Sequence, residues 1–176
     1  MNVPNAITVG RVLLVPVFLV LAYRGTDFAS AAALGVFLIA SASDSLDGYL
    51  ARRANLESRM GAFLDPLADK LLVFSALFVL VDLRDFPLWA ALLIVMREIG
   101  VQMLRSMIVN AGGTLPASRR AKEKTVLQIA MVGWWLIPWD GINLMHTVLL
   151  AAAVVWTLWT GAEYFVAQRK IKEVAH

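Results

Sequence analysis

"SDSLDGYLARR" (Ser43–Arg53) and "GAFLDPLADK" (Gly61–Lys70) place several charges inside an otherwise apolar chain. The first stretch directly follows a run of apolar or small residues, Ala29–Ala42. Burying a charge in hydrocarbon costs at least a few kcal/mol, so charged residues in such a segment are kept for a reason. The sequence therefore raises the question of what these carboxylates and arginines do there.

The composition is that of an integral membrane protein. Of the 176 residues, 60% are hydrophobic and 16% are charged, whereas a soluble domain has roughly 45–50% apolar and about 25% charged residues. The absence of cysteine excludes disulfides and zinc sites built on thiolates. No basic stripe has interleaved aromatic residues, which argues against a nucleic-acid partner.

Six apolar segments approach the length of about 20 residues that a membrane-spanning helix needs. Turn residues or charges separate them, and the connections are too short to hold a soluble domain. The sequence therefore predicts an all-α integral membrane protein with six transmembrane helices in one domain, residues 1–176. The predicted spans are Ile7–Tyr23, Phe28–Leu50, Gly61–Val81, Phe86–Asn110, Ala121–Pro138 and Asn143–Ala167.

Lysine and arginine are distributed unevenly between the two sides of the predicted bundle. They are concentrated in the second-to-third connection, the fourth-to-fifth connection and the C-terminal tail, whereas the opposite turns hold only Arg24 and Arg84. Positive loops remain on the cytosolic side of a membrane. Both termini and the Asp-rich hairpin are therefore predicted to face the cytosol.

Four aspartates are predicted to meet in the hairpin between the second and third segments. Asp44 and Asp47 lie near the end of one segment, and Asp65 and Asp69 lie near the start of the next. Spacings of three and four residues keep each pair on one helix face. Four partly buried anions need cations to hold them together, and oxygen ligands suit Mg²⁺ or Mn²⁺. Two such ions about 3.5–4 Å apart are suited to phosphoryl transfer.

Two further residues of the hairpin fit a phosphate ligand. Gly48 removes a side chain where a ligand approaches the backbone closely, and Arg52 has the geometry to bind a phosphate through two parallel hydrogen bonds. The full pattern is Asp44-x2-Asp47-Gly48-x2-Ala51-Arg52-x8-Gly61-x3-Asp65-x3-Asp69. It resembles, without a gap or substitution, the signature of the CDP-alcohol phosphotransferases.

This resemblance implies a six-helix membrane enzyme, usually homodimeric, that transfers a phosphatidyl or similar group from a CDP-linked donor to an alcohol and releases CMP. It implies that the four aspartates bind two divalent metals and that Asp69 is also the general base. Gly48, Arg52 and Ser58 would line the CDP pocket. The stretch "PNAITVGR" (Pro4–Arg11) resembles the N-terminal stretch of the family and adds Asn5 and Thr8 as nucleotide contacts.

Two later stretches look like the bacterial glycerol-phosphate branch of the family. They are "MREIGVQMLR" (Met96–Arg105) and "AKEKTVLQ" (Ala121–Gln128). Ala121 stands where that branch typically has glycine, so this part of the likeness is weaker than the aspartate signature. The sixth segment carries only hydrophobicity and adds nothing to the resemblance.

Four cations are predicted to bind the phosphate of the acceptor. Arg97 and Arg105 are eight residues apart, which turns an α-helix through about 80° beyond two full turns, so both can border one cavity. Lys122 and Lys124 open the fifth segment at the same depth. Such a cluster suits an acceptor with its own phosphate. Glycerol 3-phosphate and inositol phosphate both meet this requirement, and charge alone does not separate them.

The predicted activity is therefore phosphatidyl transfer from CDP-diacylglycerol to glycerol 3-phosphate in the bacterial cytoplasmic membrane. The same chemistry with inositol phosphate, serine or phosphatidylglycerol as acceptor is the first alternative. A divalent-cation transporter is a second, although repeats and acidic residues at the membrane midplane would be expected there. A silent membrane scaffold is a third. Structural pairing of Arg97 with Glu98, and a purely anchoring role for Lys122 and Lys124, also stay open.

Overall fold

The computed structural model describes the backbone of residues 3–54, 59–110, 119–139 and 141–174, and the side chains of residues 9–43, 70–108, 122–139 and 141–164. All regular structure in this described part is α-helical, as predicted. The prediction of six helices is confirmed. They are α1 (Val3–Ala22), α2 (Asp27–Ala54), α3 (Arg59–Leu83), α4 (Leu88–Asn110), α5 (Arg119–Leu136) and α6 (Leu144–Val174).

Side-chain caps fix the starts of two helices. The Thr26 hydroxyl accepts a hydrogen bond from the Ala29 amide at 3.2 Å, directly before α2. The Asn143 side chain accepts from the amides of Met145 (3.0 Å) and His146 (3.3 Å), directly before α6. Both residues satisfy amides that have no partner inside the helix. Gly25, with φ of 69°, supplies the left-handed turn between α1 and α2.

Proline and polar residues account for the differences between the predicted and observed helix ends. Helix α4 begins at Leu88 rather than Phe86, after Pro87, which fits the first turn of a helix but not its interior. Helix α5 ends at Leu136, two residues before Pro138. Helices α2 and α6 continue to Ala54 and Val174, because helical hydrogen bonding extends beyond the apolar residues on which the prediction relied.

The chain divides into two compact units. The first contains Met1–Phe86 and Val132–Gly141. In it, α1 packs against both α2 and α3, and its core includes a contact between the rings of Phe18 and Phe37 at 6.2 Å. Phe86 and Trp135 meet edge to face at 4.9 Å. A single domain over residues 1–176 stays a prediction.

The second unit contains Pro87–Met131 and Ile142–His176, and in it α4 packs against α6. Its core holds Ile94, Leu104 and Ala153, together with several polar or charged side chains. Among its side chains that the structure describes, the buried polar and charged ones are Glu98, Lys124, Gln128, His146, Thr157 and Thr160.

Within the described residues, one helical stretch is long and apolar enough to cross a bilayer. It is Leu144–Tyr164, in α6. Two shorter apolar stretches are Val9–Ala22 and Asp27–Ser43. Helix α4 contains Arg97, Glu98 and Arg105, which interrupt its apolar run. Six helices are thus observed, and six spans remain a prediction.

Candidate active site

The four predicted metal ligands lie on two helices that contact each other. Helix α2 contains Asp44 and Asp47, and helix α3 contains Asp65 and Asp69. These two helices pack together in the first unit. Because both segments are helical, residues spaced by three or four positions are neighbours along one helix. The aspartate side chains themselves lie outside the described ones, so the metal site stays a prediction.

The predicted CDP contacts belong to the same unit. Gly48 and Arg52 are in α2, and Asn5 and Thr8 are in α1, which packs on α2. The side chains of Arg52, Asn5 and Thr8 lie outside the described ones, and Ser58 lies outside the described residues altogether. Their roles remain predictions that rest on the resemblance of sequence.

In the second unit, two of the predicted acceptor residues, Arg97 and Lys124, donate to the same carboxylate. Arg97 Nη1 donates to Glu98 Oε1 at 2.9 Å, and Lys124 Nζ donates to the same oxygen. The side chains of Arg97, Glu98 and Lys124 are 11%, 4% and 6% exposed. We call these three residues the Arg97 cluster. A buried lysine and a largely buried arginine therefore converge on one carboxylate, and the three residues together carry a net positive charge.

Three residues of helix α6 lie next to the arginine of this cluster. Arg97 Nη2 donates to the Thr160 hydroxyl at 2.8 Å, and the guanidinium lies 5.9 Å from the centre of the Tyr164 ring, within cation–π range. A Cβ atom on Gly161 would lie 3.3 Å from Arg97 Cγ. The absence of a side chain at Gly161 thus lets the arginine lie directly against the α6 backbone.

Four buried donors in this unit have no hydrogen-bond partner among the described groups. They are Arg97 Nε, Gln128 Nε2, Trp156 Nε1 and the Thr157 hydroxyl, and the first two belong to the Arg97 cluster or to the helix face that contains Lys124. Gln128 follows Lys124 by four residues and so shares its face of α5. Buried donors in proteins are normally satisfied. Unpaired donors beside two cations are suited to an anionic or oxygen-rich ligand.

The other two predicted acceptor residues are placed differently. Arg105 on α4 and Lys122 on α5 are exposed. Among the described side chains, neither has a hydrogen bond or ion pair with the Arg97 cluster. The structure thus brings Arg97 and Lys124 together through Glu98 and leaves Arg105 and Lys122 at the surface of the unit.

Sequence reasoning missed the contribution of α6. Thr160, Gly161 and Tyr164 lie in a segment that was predicted to be hydrophobic only, yet all three contact Arg97. The available signal was the recurrence of polar residues along the apolar helix, at Thr157, Thr160 and Tyr164. Spacings of three and four residues mark one face of a helix, and a polar face in an apolar helix indicates a buried polar partner.

The chain is similar to one known protein family and to several of its members. The family model described as CDP-alcohol phosphatidyltransferase matches residues 1–159. A "Probable phosphatidylglycerophosphate synthase" of Mycobacterium tuberculosis (strain CDC 1551 / Oshkosh) is 40% identical over 93% of this chain and 79% of its own length.

Two further relatives carry the name "CDP-diacylglycerol--glycerol-3-phosphate 3-phosphatidyltransferase". The protein of Bacillus subtilis (strain 168) is 37% identical over 93% of both chains. That of Pseudomonas fluorescens is 42% identical over 90% of this chain and 77% of its own length. The family match covers both the aspartate hairpin and the Arg97 cluster, and on these grounds the chain belongs to the CDP-alcohol phosphatidyltransferase family.

Proposed function

We propose that this enzyme transfers the phosphatidyl group of CDP-diacylglycerol to glycerol 3-phosphate, giving phosphatidylglycerophosphate and CMP. The observation that carries the choice of acceptor is the buried Arg97 cluster, in which two cations share one carboxylate. A net positive charge in a buried site favours an acceptor that brings its own phosphate. The names of the relatives favour glycerol 3-phosphate over inositol phosphate, whose phosphate suits the same cluster.

The donor side depends on the aspartate hairpin. The family consists of membrane-bound enzymes that use divalent metals. Four carboxylates on two packed helices suit hard divalent cations, and we assign two Mg²⁺ or Mn²⁺ ions to Asp44, Asp47, Asp65 and Asp69. When bound, such ions supply Lewis-acid activation of the donor pyrophosphate and neutralise the charge of the departing CMP.

The residues of the chain supply binding and proton transfer. Asp69 accepts the proton of the acceptor hydroxyl, whose oxygen then attacks the phosphorus that carries the lipid. The bond from that phosphorus to the CMP oxygen breaks, so no covalent enzyme intermediate is needed. Arg97 and Lys124, with Arg105 and Lys122 nearer the surface, hold the acceptor phosphate. The residues that we assign to the CDP moiety are Gly48, Arg52, Ser58, Asn5 and Thr8.

The proposal also includes the cellular location, the membrane topology and the oligomeric state of the enzyme. The enzyme spans the bacterial cytoplasmic membrane six times as a homodimer, with both termini and the site on the cytosolic side. The distribution of lysine and arginine supports this orientation. Access of a cysteine-reactive reagent to cysteines introduced at Arg24 and at Arg169 tests it, because the two positions must label from opposite sides.

The activity is tested by CMP release from purified protein in detergent with CDP-diacylglycerol and Mg²⁺ or Mn²⁺. Glycerol 3-phosphate, inositol phosphate, inositol, serine and phosphatidylglycerol are supplied in parallel. Release with glycerol 3-phosphate alone supports the proposal. Release with a different acceptor retains the reaction class and overturns the acceptor, and no release from folded protein with any of them overturns the proposed function.

Gly161→Ala should weaken binding of glycerol 3-phosphate through Arg97. The added Cβ would lie 3.3 Å from Arg97 Cγ, so the arginine must move by a few tenths of an ångström. Misplacement by 1 Å can cost about 100-fold in rate, and we expect this smaller shift to raise the KM for glycerol 3-phosphate about threefold to tenfold. Initial rates of CMP release at varied acceptor concentration measure the effect.

Gly100→Ala is the matched control. Gly100 lies within α4, and a Cβ there would meet nothing within 4 Å. Alanine in a helix interior is favoured over glycine by about 0.5–1 kcal/mol. The KM should therefore stay unchanged and thermal stability should rise slightly. Equal changes in KM in the two variants would contradict the proposed contact between Gly161 and Arg97.

A further inference from the structure

Glu98 is the buried carboxylate to which both cations of the Arg97 cluster donate. Its side chain is 4% exposed, and Oε1 accepts from Arg97 Nη1 at 2.9 Å and from Lys124 Nζ. The residue thus has two effects on these cations. It holds them side by side against their mutual repulsion, and it occupies donors that an incoming anion needs.

Electrostatics determines how Glu98, by occupying these donors, changes the affinity for an incoming anion. Arg97 and Lys124 carry two positive charges and Glu98 carries one negative charge, so the cluster offers a single net positive charge to a ligand. A carboxylate in contact with the same donors as a phosphate opposes its binding, both by repulsion and by competition for hydrogen bonds. Where this second effect outweighs the first, removing the negative charge while keeping the shape of the side chain strengthens phosphate binding.

We propose that Glu98 is an internal counter-anion that competes with the acceptor phosphate for Arg97 and Lys124. The inference rests on the proposed function, since it takes this cluster as the site of that phosphate. Glu98 is a positioning residue and not a catalytic one, because it acts on the ligand through the two cations. In the absence of acceptor it keeps both cations in place, and when the phosphate arrives the two anions share the donors.

Competition between Glu98 and the acceptor phosphate affects product release. The product, phosphatidylglycerophosphate, retains the phosphate of the acceptor, so every interaction that tightens the acceptor phosphate also tightens the product. An interaction that stabilises substrate and transition state equally does not accelerate the chemical step. A built-in competitor limits how strongly both phosphates are held and so helps the product to leave.

The test is competitive inhibition by inorganic phosphate, measured as CMP release at varied glycerol 3-phosphate with the purified full chain in detergent. In Glu98→Gln, the inhibition constant of inorganic phosphate should fall about tenfold, because one unit charge in contact with the donors is removed. The KM for glycerol 3-phosphate should fall with it. Loss of a merely structural residue would raise both constants, so the sign of the change separates the two roles.

Two further variants make the result decisive. Glu98→Asp keeps the charge but withdraws it by one methylene, and the inhibition constant should fall about threefold, less than in Glu98→Gln. This variant decides the question if Glu98→Gln does not fold. Glu123→Gln removes an exposed carboxylate next to Lys124 in sequence and should leave the constant unchanged.

The outcomes separate this inference from the proposed function. An inhibition constant that is unchanged or higher in both Glu98 variants, with normal inhibition of the unsubstituted enzyme, overturns the role of Glu98 alone. An unsubstituted enzyme that uses glycerol 3-phosphate but is not inhibited competitively by phosphate overturns the placement of the acceptor phosphate as well. No CMP release with glycerol 3-phosphate overturns the proposed function and this inference together.

Discussion

Asp69→Asn should reduce CMP release by about 1,000-fold or more, since removal of a general base alone typically costs 100- to 10,000-fold. Asparagine keeps the shape of the side chain but cannot accept the proton of the acceptor hydroxyl. It also removes one negative charge from the set of four aspartates to which the metals are assigned. The rate of CMP release at saturating CDP-diacylglycerol and glycerol 3-phosphate measures the loss.

Asp82→Asn provides the control on the same helix. Asp82 is an exposed residue near the C-terminal end of α3, where its Oδ2 accepts a hydrogen bond from the Tyr23 hydroxyl at 2.7 Å. The chemical change is identical, yet Asp82 lies outside the aspartate signature. The rate of CMP release by Asp82→Asn should remain within about twofold of the rate of the unsubstituted enzyme. An exposed hydrogen bond makes only a small net contribution to stability. Residual activity of Asp69→Asn above a tenth of normal would contradict the assignment of the base.

Arg97→Gln should raise the KM for glycerol 3-phosphate about 100-fold and leave the KM for CDP-diacylglycerol nearly unchanged. Truncating one partner of a buried, hydrogen-bonded charge pair costs about 2–5 kcal/mol in binding. The substitution removes one of the two positive charges that converge on Glu98, so the three-residue cluster loses the net charge that favours a phosphate. Steady-state rates with each substrate varied in turn measure the two constants.

Arg97→Lys separates charge from geometry. Arginine reaches Glu98 with one nitrogen and Thr160 with another, whereas a lysine ammonium is a compact point charge without that planar fork. The KM should therefore lie between those of the unsubstituted enzyme and Arg97→Gln. Arg24→Gln, which removes an exposed arginine from the turn before α2, should leave both constants unaltered. A fall in kcat with an unchanged KM for glycerol 3-phosphate would show that Arg97 acts elsewhere than on the acceptor.

Much of the helical architecture is predictable because local chemistry specifies it. The turn before α2 has Gly25 and Thr26, and the stop of α5 is followed by Pro138, each of which acts through its own backbone or the next few residues. Hydrophobicity alone is a poorer guide to helix ends. It places the end of α2 at Leu50, although the polar residues up to Ala54 remain helical.

The candidate site is predictable only in part, because its contacts join distant segments. Asp44 and Asp47 can be recognised from spacing and from the family signature. The pairing of Lys124 with Glu98 and of Arg97 with Thr160 depends on which helix faces pack together, which a single sequence does not specify. For the same reason the role of Gly161 cannot be predicted from the sequence, because it depends on the close approach of the Arg97 side chain.

The hydrogen bond from Arg97 to Thr160 has a consequence for biosynthesis. The ribosome produces Arg97 and Glu98 in α4 long before it produces Thr160, Gly161 and Tyr164 in α6. In a nascent chain, Arg97 therefore lacks its contacts with Thr160, Gly161 and Tyr164 until α6 has been translated. The Arg97 cluster therefore acquires its contacts with α6 late in synthesis, and under the proposed function an unfinished chain lacks the arrangement that holds the acceptor phosphate.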